Sequence, residues 1–299
     1  MTSSLQDRVV AAGFAAGWTL LPYLPKKPTA AAFRAVADRA WRRREPSVRR
    51  LERNLARVTG LGEDSAELRA LSRAGMRSYL RYFHEIFLLP KMDRAEVVRR
   101  THVTGAENIF DTVAAGRGVV LALPHMGNWD QSGAWLTGSG YTFTTVAERL
   151  KPESLYRRYV AFRESLGMEV LPLTGGAGHN FGTLAQRVRK GGIVCLPAER
   201  DLTKNGVKVE FFGATTQVPV GPALLAVKTG AALLPAILWF EGDDWGLRIH
   251  EEVPVPTEGT LQERTAAVAQ SLVTVFEKGI AEHPEDWHML QRLWLEDLK

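Results

Sequence analysis

After Gly118 the chain is punctuated by short apolar or β-branched runs: VVLAL (119–123), YTFTTVA (141–147), MEVLPL (168–173), GIVCLP (192–197) and LLPAILWF (233–240). Their length and content predict buried strands. LRIHEEV (247–253) predicts a later one. Between them, PESLYRRYVAFRESLG (152–167) sets Leu155, Tyr159, Phe162 and Leu166 on one helical face, and GTLAQRVRKGG (182–192) is helix-compatible. TLQERTAAVAQSLVTVFEKGIAEH (260–283) predicts a long amphipathic helix. Strands alternating with helices predict an α/β fold with a mostly parallel central sheet flanked by helices.

The first hundred residues are patterned differently. Seventeen uncharged residues, VVAAGFAAGWTLLPYLP, separate Arg8 from Lys26. A span needs about 20 strongly apolar residues, so this run is too short and too mild to cross a bilayer. Lys26 and Lys27 stand where the small residues of a signal-peptide cleavage site would begin. Two readings remain: a buried core helix, or a helix at a membrane interface with Trp18 and Tyr23 at headgroup depth. Arginines follow densely, and Arg69, Arg73, Arg77 and Arg81 recur every fourth residue, one stripe on a helix.

Composition sharpens this division. The 299 residues are 45% hydrophobic and 24% charged, which excludes a disordered or collagenous chain. One cysteine, Cys195, excludes an intramolecular disulfide and reads as a buried structural thiol. Residues 1–100 hold 20 Lys and Arg against 10 Asp and Glu, whereas residues 101–299 hold 18 against 23. A basic first third predicts contact with a polyanion, and an anionic membrane surface fits best. Zinc-finger, helix-turn-helix and ribonucleoprotein patterns are absent, so no nucleic-acid partner is expected. The chain reads as one unit, 1–299, with a basic helical N-terminal part (1–100) and an α/β core (101–299).

Candidate chemistry follows the first strand, in LPHMGNWD (123–130). Ligand sites of open α/β sheets lie beyond the carboxyl ends of strands, where His125 stands. Asp130, five residues on, would be rotated off the histidine's face of a straight helix, but Gly127 and Asn128 supply a turn that could fold it back. A carboxylate on one imidazole nitrogen makes the other a better base, which suits taking a proton from an alcohol. The plain alternative is a strand-end histidine capping the next helix, with Asp130 a surface acid.

LPHMGNWD resembles the HxxxxD acyltransferase motif as it occurs in bacterial lipid A lauroyl/myristoyl acyltransferases and the actinobacterial phosphatidylinositol mannoside acyltransferases. The resemblance continues through VAERLKPESLYRRYVAFRESLGMEV (146–170), LPAERD (196–201) and FFGATTQVPVGPALLAVKTGAALLP (211–235). It implies a glycerolipid-acyltransferase-like fold with His125 as base, Glu199 as a hydrogen-bonding acid and Asp130 as a residue that orders the site. Either carboxylate could touch the ring. Arg163 is implied to hold Glu199 ionised or to bind an acceptor phosphate, and Glu148 and Arg149 to line a polar acceptor pocket. Arg200 departs from the glycine usual in glycerolipid acyltransferases, which leaves room for a larger, sugar-bearing acceptor.

The resemblance further implies acyl-CoA as donor substrate, palmitoyl as the acyl group and no cofactor. Phosphatidylinositol mannoside is the implied acceptor, met at the cytoplasmic face of the plasma membrane. The donor chain would occupy an apolar groove, with backbone N–H groups after His125 as candidate oxyanion donors. Alternatives are a lipid A-type or lysophospholipid acyltransferase and a non-catalytic lipid-binding protein. GxSxG and HExxH are absent, so neither a nucleophile elbow nor a zinc site is expected. The Gly175-Gly176-Ala177-Gly178 segment lacks a P-loop lysine and reads as a loop.

Overall fold

The basic N-terminal third resolves into five helices: α1 (Leu5–Leu20), α2 (Lys26–Arg42), α3 (Pro46–Thr59), α4 (Ala66–Leu88) and α5 (Arg94–Arg99). The computed structural model describes residues 5–173, 177–201 and 205–298. Local chemistry sets the limits of these helices. Pro46 opens α3 and Gly60, at φ 70°, closes it in the left-handed conformation that glycine tolerates. The Ser65 hydroxyl accepts the Leu68 N–H at the start of α4.

The apolar run packs one side of α1 against the rest of the protein, Trp18 included, and leaves other apolar side chains of the run in solvent. Phe14 and Trp18 pack against Phe83, Phe87 and Tyr159, and Gly17 lies so close to the Phe87 ring that a Cβ would sit 2.7 Å from it. Val9, Leu20, Tyr23 and Leu24 are exposed. No helix of the described residues is long and apolar enough to cross a membrane.

The arginine stripe is mostly engaged rather than free. Arg73 and Arg77 each clasp the Asp38 carboxylate of α2 with two hydrogen bonds, Arg69 pairs with Glu52 of α3, and Arg81 pairs with Glu85 at 2.6 Å. These contacts stitch the helices around a small core of Ala37, Leu51, Leu55, Leu68 and Met76.

The remainder forms a seven-stranded sheet from β1 (Thr101–Thr104), β2 (Val119–Leu123), β3 (Phe143–Ala147), β4 (Glu169–Pro172), β5 (Ile193–Pro197), β8 (Ala232–Glu241) and β9 (Asp244–Ile249). A separate hairpin comprises β6 (Val207–Phe211) and β7 (Ala214–Val218). Interleaved helices are α6 (Ala106–Ala114), α7 (Trp129–Gly138), α8 (Glu153–Ser165), α9 (Ala177–Arg189), α10 (Gly221–Thr229) and α11 (Leu261–Glu282). The spatial order is β1-β9-β8-β2-β5-β3-β4. Every pairing is parallel except β8 with β9, as the alternating pattern predicts. Residues 232–238 of β8 are all buried, the mark of a strand covered on both faces.

Three differences from the sequence reading have local causes. The late strand begins at Asp244 and ends at Ile249, because a tight turn at Gly242 and Asp243 folds β9 onto β8. Within it Gly246 faces Trp239, whose ring fills the space a side chain would need. Four-residue β1 was too short to stand out. The β6–β7 hairpin, also unpredicted, turns through Phe212 and Gly213, both at positive φ as a two-residue hairpin of matching twist requires.

Candidate active site

The central strand β2 delivers His125 and its neighbour β5 delivers Glu199. Leu123 and Pro197 are register partners, and Ala198 N–H extends the ladder to the Leu123 carbonyl at 2.9 Å. Two residues beyond each partner, both side chains project past the carboxyl edge. The His125 Nδ1–H donates to Glu199 Oε1 at 2.8 Å, and the His125 backbone N–H donates to the same oxygen at 2.6 Å. Glu199 is wholly buried, while the His125 side chain is 32% exposed.

A carboxylate accepts but does not donate, so it fixes the proton on Nδ1 and leaves Nε2 with its lone pair free. Burial works against the charge of Glu199, yet the adjacent imidazole and the two hydrogen bonds from His125 outweigh it, and the carboxyl titrates below its usual value. Its Oε2 finds no donor among the described residues, which concentrates the acid's hydrogen bonding on His125.

The turn carrying His125 is clamped from the C-terminal end of the chain. His288 N–H donates to the His125 carbonyl and Gly127 N–H to the Asp286 carbonyl, each at 2.8 Å. The Asp286 carboxylate accepts from Ser78 Oγ at 2.6 Å and from Phe240 N–H at 2.8 Å. Ser78 Oγ also lies 2.9 Å from His288 Nε2. Burial pushes the Asp286 carboxyl up to about 6, and burial with the nearby His125 pushes His288 down to about 3. Gly127 is obligatory here: it sits at φ 56°, and a Cβ would lie 2.9 Å from the Leu238 backbone. This engagement revises one expectation, because the N–H groups of Met126 and Gly127 already have carbonyl partners and are not spare oxyanion donors.

Asp130 does not fold back to the histidine. It lies in the first turn of α7, where it accepts from Arg163 Nε at 2.7 Å and from the Tyr82 hydroxyl at 2.8 Å. Arg163 accordingly pairs with Asp130, not Glu199. The Asp130 charge holds the Arg163 guanidinium above its usual pKa against the effect of burial, while burial and Asp130 together push the Tyr82 phenol up. Tyr82 in turn stacks on Trp129 at 4.1 Å, and Trp129 meets the His125 ring edge-on at 5.4 Å. Asp130 thus reaches the histidine only through aromatic packing. Asn128 caps α7 by accepting from Gln131 N–H and donates to Glu85 of α4.

Glu148 and Arg149 follow the carboxyl end of β3 and are exposed, with Arg149 held by Glu153 at 2.9 Å. Cys195 lies within β5, and burial pushes its thiol up. Gly175 and Gly176 lie outside the described residues, and Ala177 starts α9. Nothing in the sequence singled out Ser78, Tyr82, Glu85, Asp286 or His288, which meet the site from positions far away along the chain.

An apolar cavity of about 70 Å³ opens beside Leu123, Trp129 and Pro197 and reaches Gly133, Phe143 and Met168 between α7 and the sheet. Asp130 and Arg163 also line it.

A seven-stranded, mostly parallel sheet with a histidine–carboxylate pair at its carboxyl edge fits the class implied by LPHMGNWD. The chain belongs to the bacterial lipid A biosynthesis acyltransferase family, whose sequence profile matches residues 5–296. It is similar to the phosphatidylinositol mannoside acyltransferase of Mycolicibacterium smegmatis, 48% identical over 295 residues, covering 98% of this chain and 94% of that protein. It is equally similar, 48% over 287 residues, to the protein of that name in Mycobacterium tuberculosis, covering 95% of this chain and 88% of the relative.

Proposed function

We propose that this chain is an acyl-CoA-dependent O-acyltransferase that moves a long-chain acyl group, palmitoyl in the simplest case, to a mannose hydroxyl of a phosphatidylinositol mannoside. The observation that carries the chemistry is the His125–Glu199 pair, in which a buried carboxylate orients the ring and leaves Nε2 free at a half-open edge. The names of the relatives supply the acceptor.

In the reaction, His125 Nε2 takes the proton of the mannose hydroxyl as its oxygen attacks the thioester carbonyl. The carbon–sulfur bond breaks, the imidazolium returns the proton to the departing thiolate, and an ester and free CoA result. Glu199 stabilises the transient imidazolium. The cavity beneath Trp129 accepts the chain end of the donor, where each methylene removed from water contributes about 0.8 kcal/mol.

Membrane association is the second part of the reading. The exposed Val9, Leu20, Tyr23 and Leu24 beside a basic N-terminal third suit an anionic surface, placed at the cytoplasmic face of the plasma membrane because acyl-CoA is made inside the cell.

The test is CoA release from palmitoyl-CoA by wild type and His125→Ala, with and without phosphatidylinositol mono- and dimannoside, followed by mass spectrometry of the lipid. Mannoside-stimulated release that needs His125 and yields a lipid one acyl chain heavier is the expected result. Product on lysophosphatidic acid, with none on the mannosides, overturns the acceptor.

A further inference from the structure

A second depression, larger than the cavity beside Trp129, is lined by other residues than His125 and Glu199. A groove of about 1360 Å³ runs between α2 and α4 and ends at the β8–β9 turn. On α4, Tyr82 stacks on Trp129, while Arg73, Arg77 and Arg81 border the groove, which also reaches Ser78, Glu85 and Asp286, the residues that brace the His125 turn.

The groove is amphiphilic. Phe33, Trp41, Leu88 and Trp245 line it, and Ala70 and Ala74, both exposed, keep its floor open where larger side chains would fill it. The rim is cationic along α2, while Asp243, Glu285 and Asp286 also line the groove. Asp38 holds Arg73 and Arg77 and Glu85 holds Arg81, but among the described residues Lys26, Lys27 and Arg34 pair with no carboxylate. Both lysines stand in the first turn of α2, which carries no acid and where the helix dipole disfavours cations. Three uncompensated cations so placed call for an anion. Burial, with smaller contributions from the charges of Arg34, Arg81 and Lys26, lowers His84, which lines the groove, to about 4.

Immediately before these lysines the chain exposes Tyr23 and Leu24. Apolar residues at a corner, cations next and an apolar floor beyond match the order of tail, phosphate and tail along a lipid drawn partly out of a bilayer. A nucleic acid or a free phosphate fits only the rim.

We propose that the groove between α2 and α4 seats one anionic phospholipid, with Lys26, Lys27 and Arg34 on its phosphate and one tail along Phe33, Ala70 and Ala74. This rests on the reading of the chain as acting at an anionic membrane, and it adds a defined lipid site whose lining includes neither His125 nor Glu199.

Calorimetry with dioctanoyl-phosphatidylglycerol below its micelle concentration tests it, with dioctanoyl-phosphatidylcholine and glycerol phosphate as controls. We expect one site on the wild type, at least tenfold tighter for the anionic lipid than for either control. Lys26→Glu/Lys27→Glu/Arg34→Glu should weaken it tenfold or more. Ala70→Leu/Ala74→Leu, which alters no charge and sits on an exposed face, should do the same. Unaltered binding by the alanine variant, or equal binding of glycerol phosphate, overturns the site in favour of diffuse surface charge. Flotation of the wild type with phosphatidylcholine:phosphatidylglycerol vesicles is read separately. Lipid binding without flotation keeps the groove and removes the membrane reading; flotation that the alanine variant retains, together with its lost calorimetric site, supports both.

Discussion

His125 and Glu199 meet because Leu123 and Pro197 are paired on adjacent parallel strands, and each functional residue lies two positions further on. Register alone brings together groups 74 residues apart. The pair is therefore as rigid as the sheet, and its geometry needs no ligand to assemble it.

Glu199→Gln keeps the shape but removes the charge. A neutral amide cannot support the imidazolium, so the acid limb of kcat/KM should move to lower pH. The plateau should drop about 10²- to 10⁴-fold. A pH–rate series on both proteins checks it; an unmoved limb would show that Glu199 acts only as scaffold.

The Asp130–Arg163 pair is buried, so removing one partner strands the other's charge. Arg163→Met should cost about 3–5 kcal/mol, and Asp130→Asn/Arg163→Met should recover most of that loss. Urea unfolding of the two variants and the wild type measures it. If the single variant is fully stable yet fails to bind acceptor, Arg163 serves the substrate and not the fold.

Asp286 couples the C-terminal segment to pH. Burial raises its pKa from 3.8 to about 6, helped by Glu285 and opposed by the bonds from Ser78 and Phe240 and by the charge of Arg81. A raised folded-state pKa means that its contribution favours the fold below pH 4 and is lost as pH rises through 6. Relative to Asp286→Asn, the wild type should lose at most about 3 kcal/mol between pH 4 and 7. Paired denaturation curves across that range decide it, and a gap constant with pH would place the Asp286 carboxyl at an ordinary pKa.

If the proposed donor chain enters the cavity beneath Trp129, Gly133 sets the room available to it. A methyl group there would come within 2.5 Å of the flexible end of Met168 and 3.0 Å of Phe143, so Gly133→Ala takes up cavity volume at modest strain. The optimum donor should shorten by one or two methylenes, each worth about fourfold in kcat/KM. Relative rates on C12 to C18 acyl-CoA provide the measurement; an unchanged profile means the chain lies elsewhere.

Much of this protein is legible along the chain. Apolar runs reported β2, β5 and β8 because strands buried on both faces must be continuously hydrophobic. The amphipathic pattern over 260–283 placed α11. LPHMGNWD placed His125 because a strand-end histidine with a following turn is a local arrangement. The basic N-terminal third is likewise a fact of composition.

Tertiary structure decided the rest, since partners across a sheet have no sequence spacing. Asp130, five residues from His125, goes to Arg163 and Tyr82, while the distant Glu199 takes the ring. The arginine stripe read as one charged face, but the carboxylates that engage it sit on α2, α3 and its own helix, so only the fold separates paired cations from Lys26, Lys27 and Arg34. Residues 284–288 could not be assigned a role until the chain closed on itself, because their hydrogen bonds reach Ser78, some two hundred residues away, and backbone groups that any residue carries.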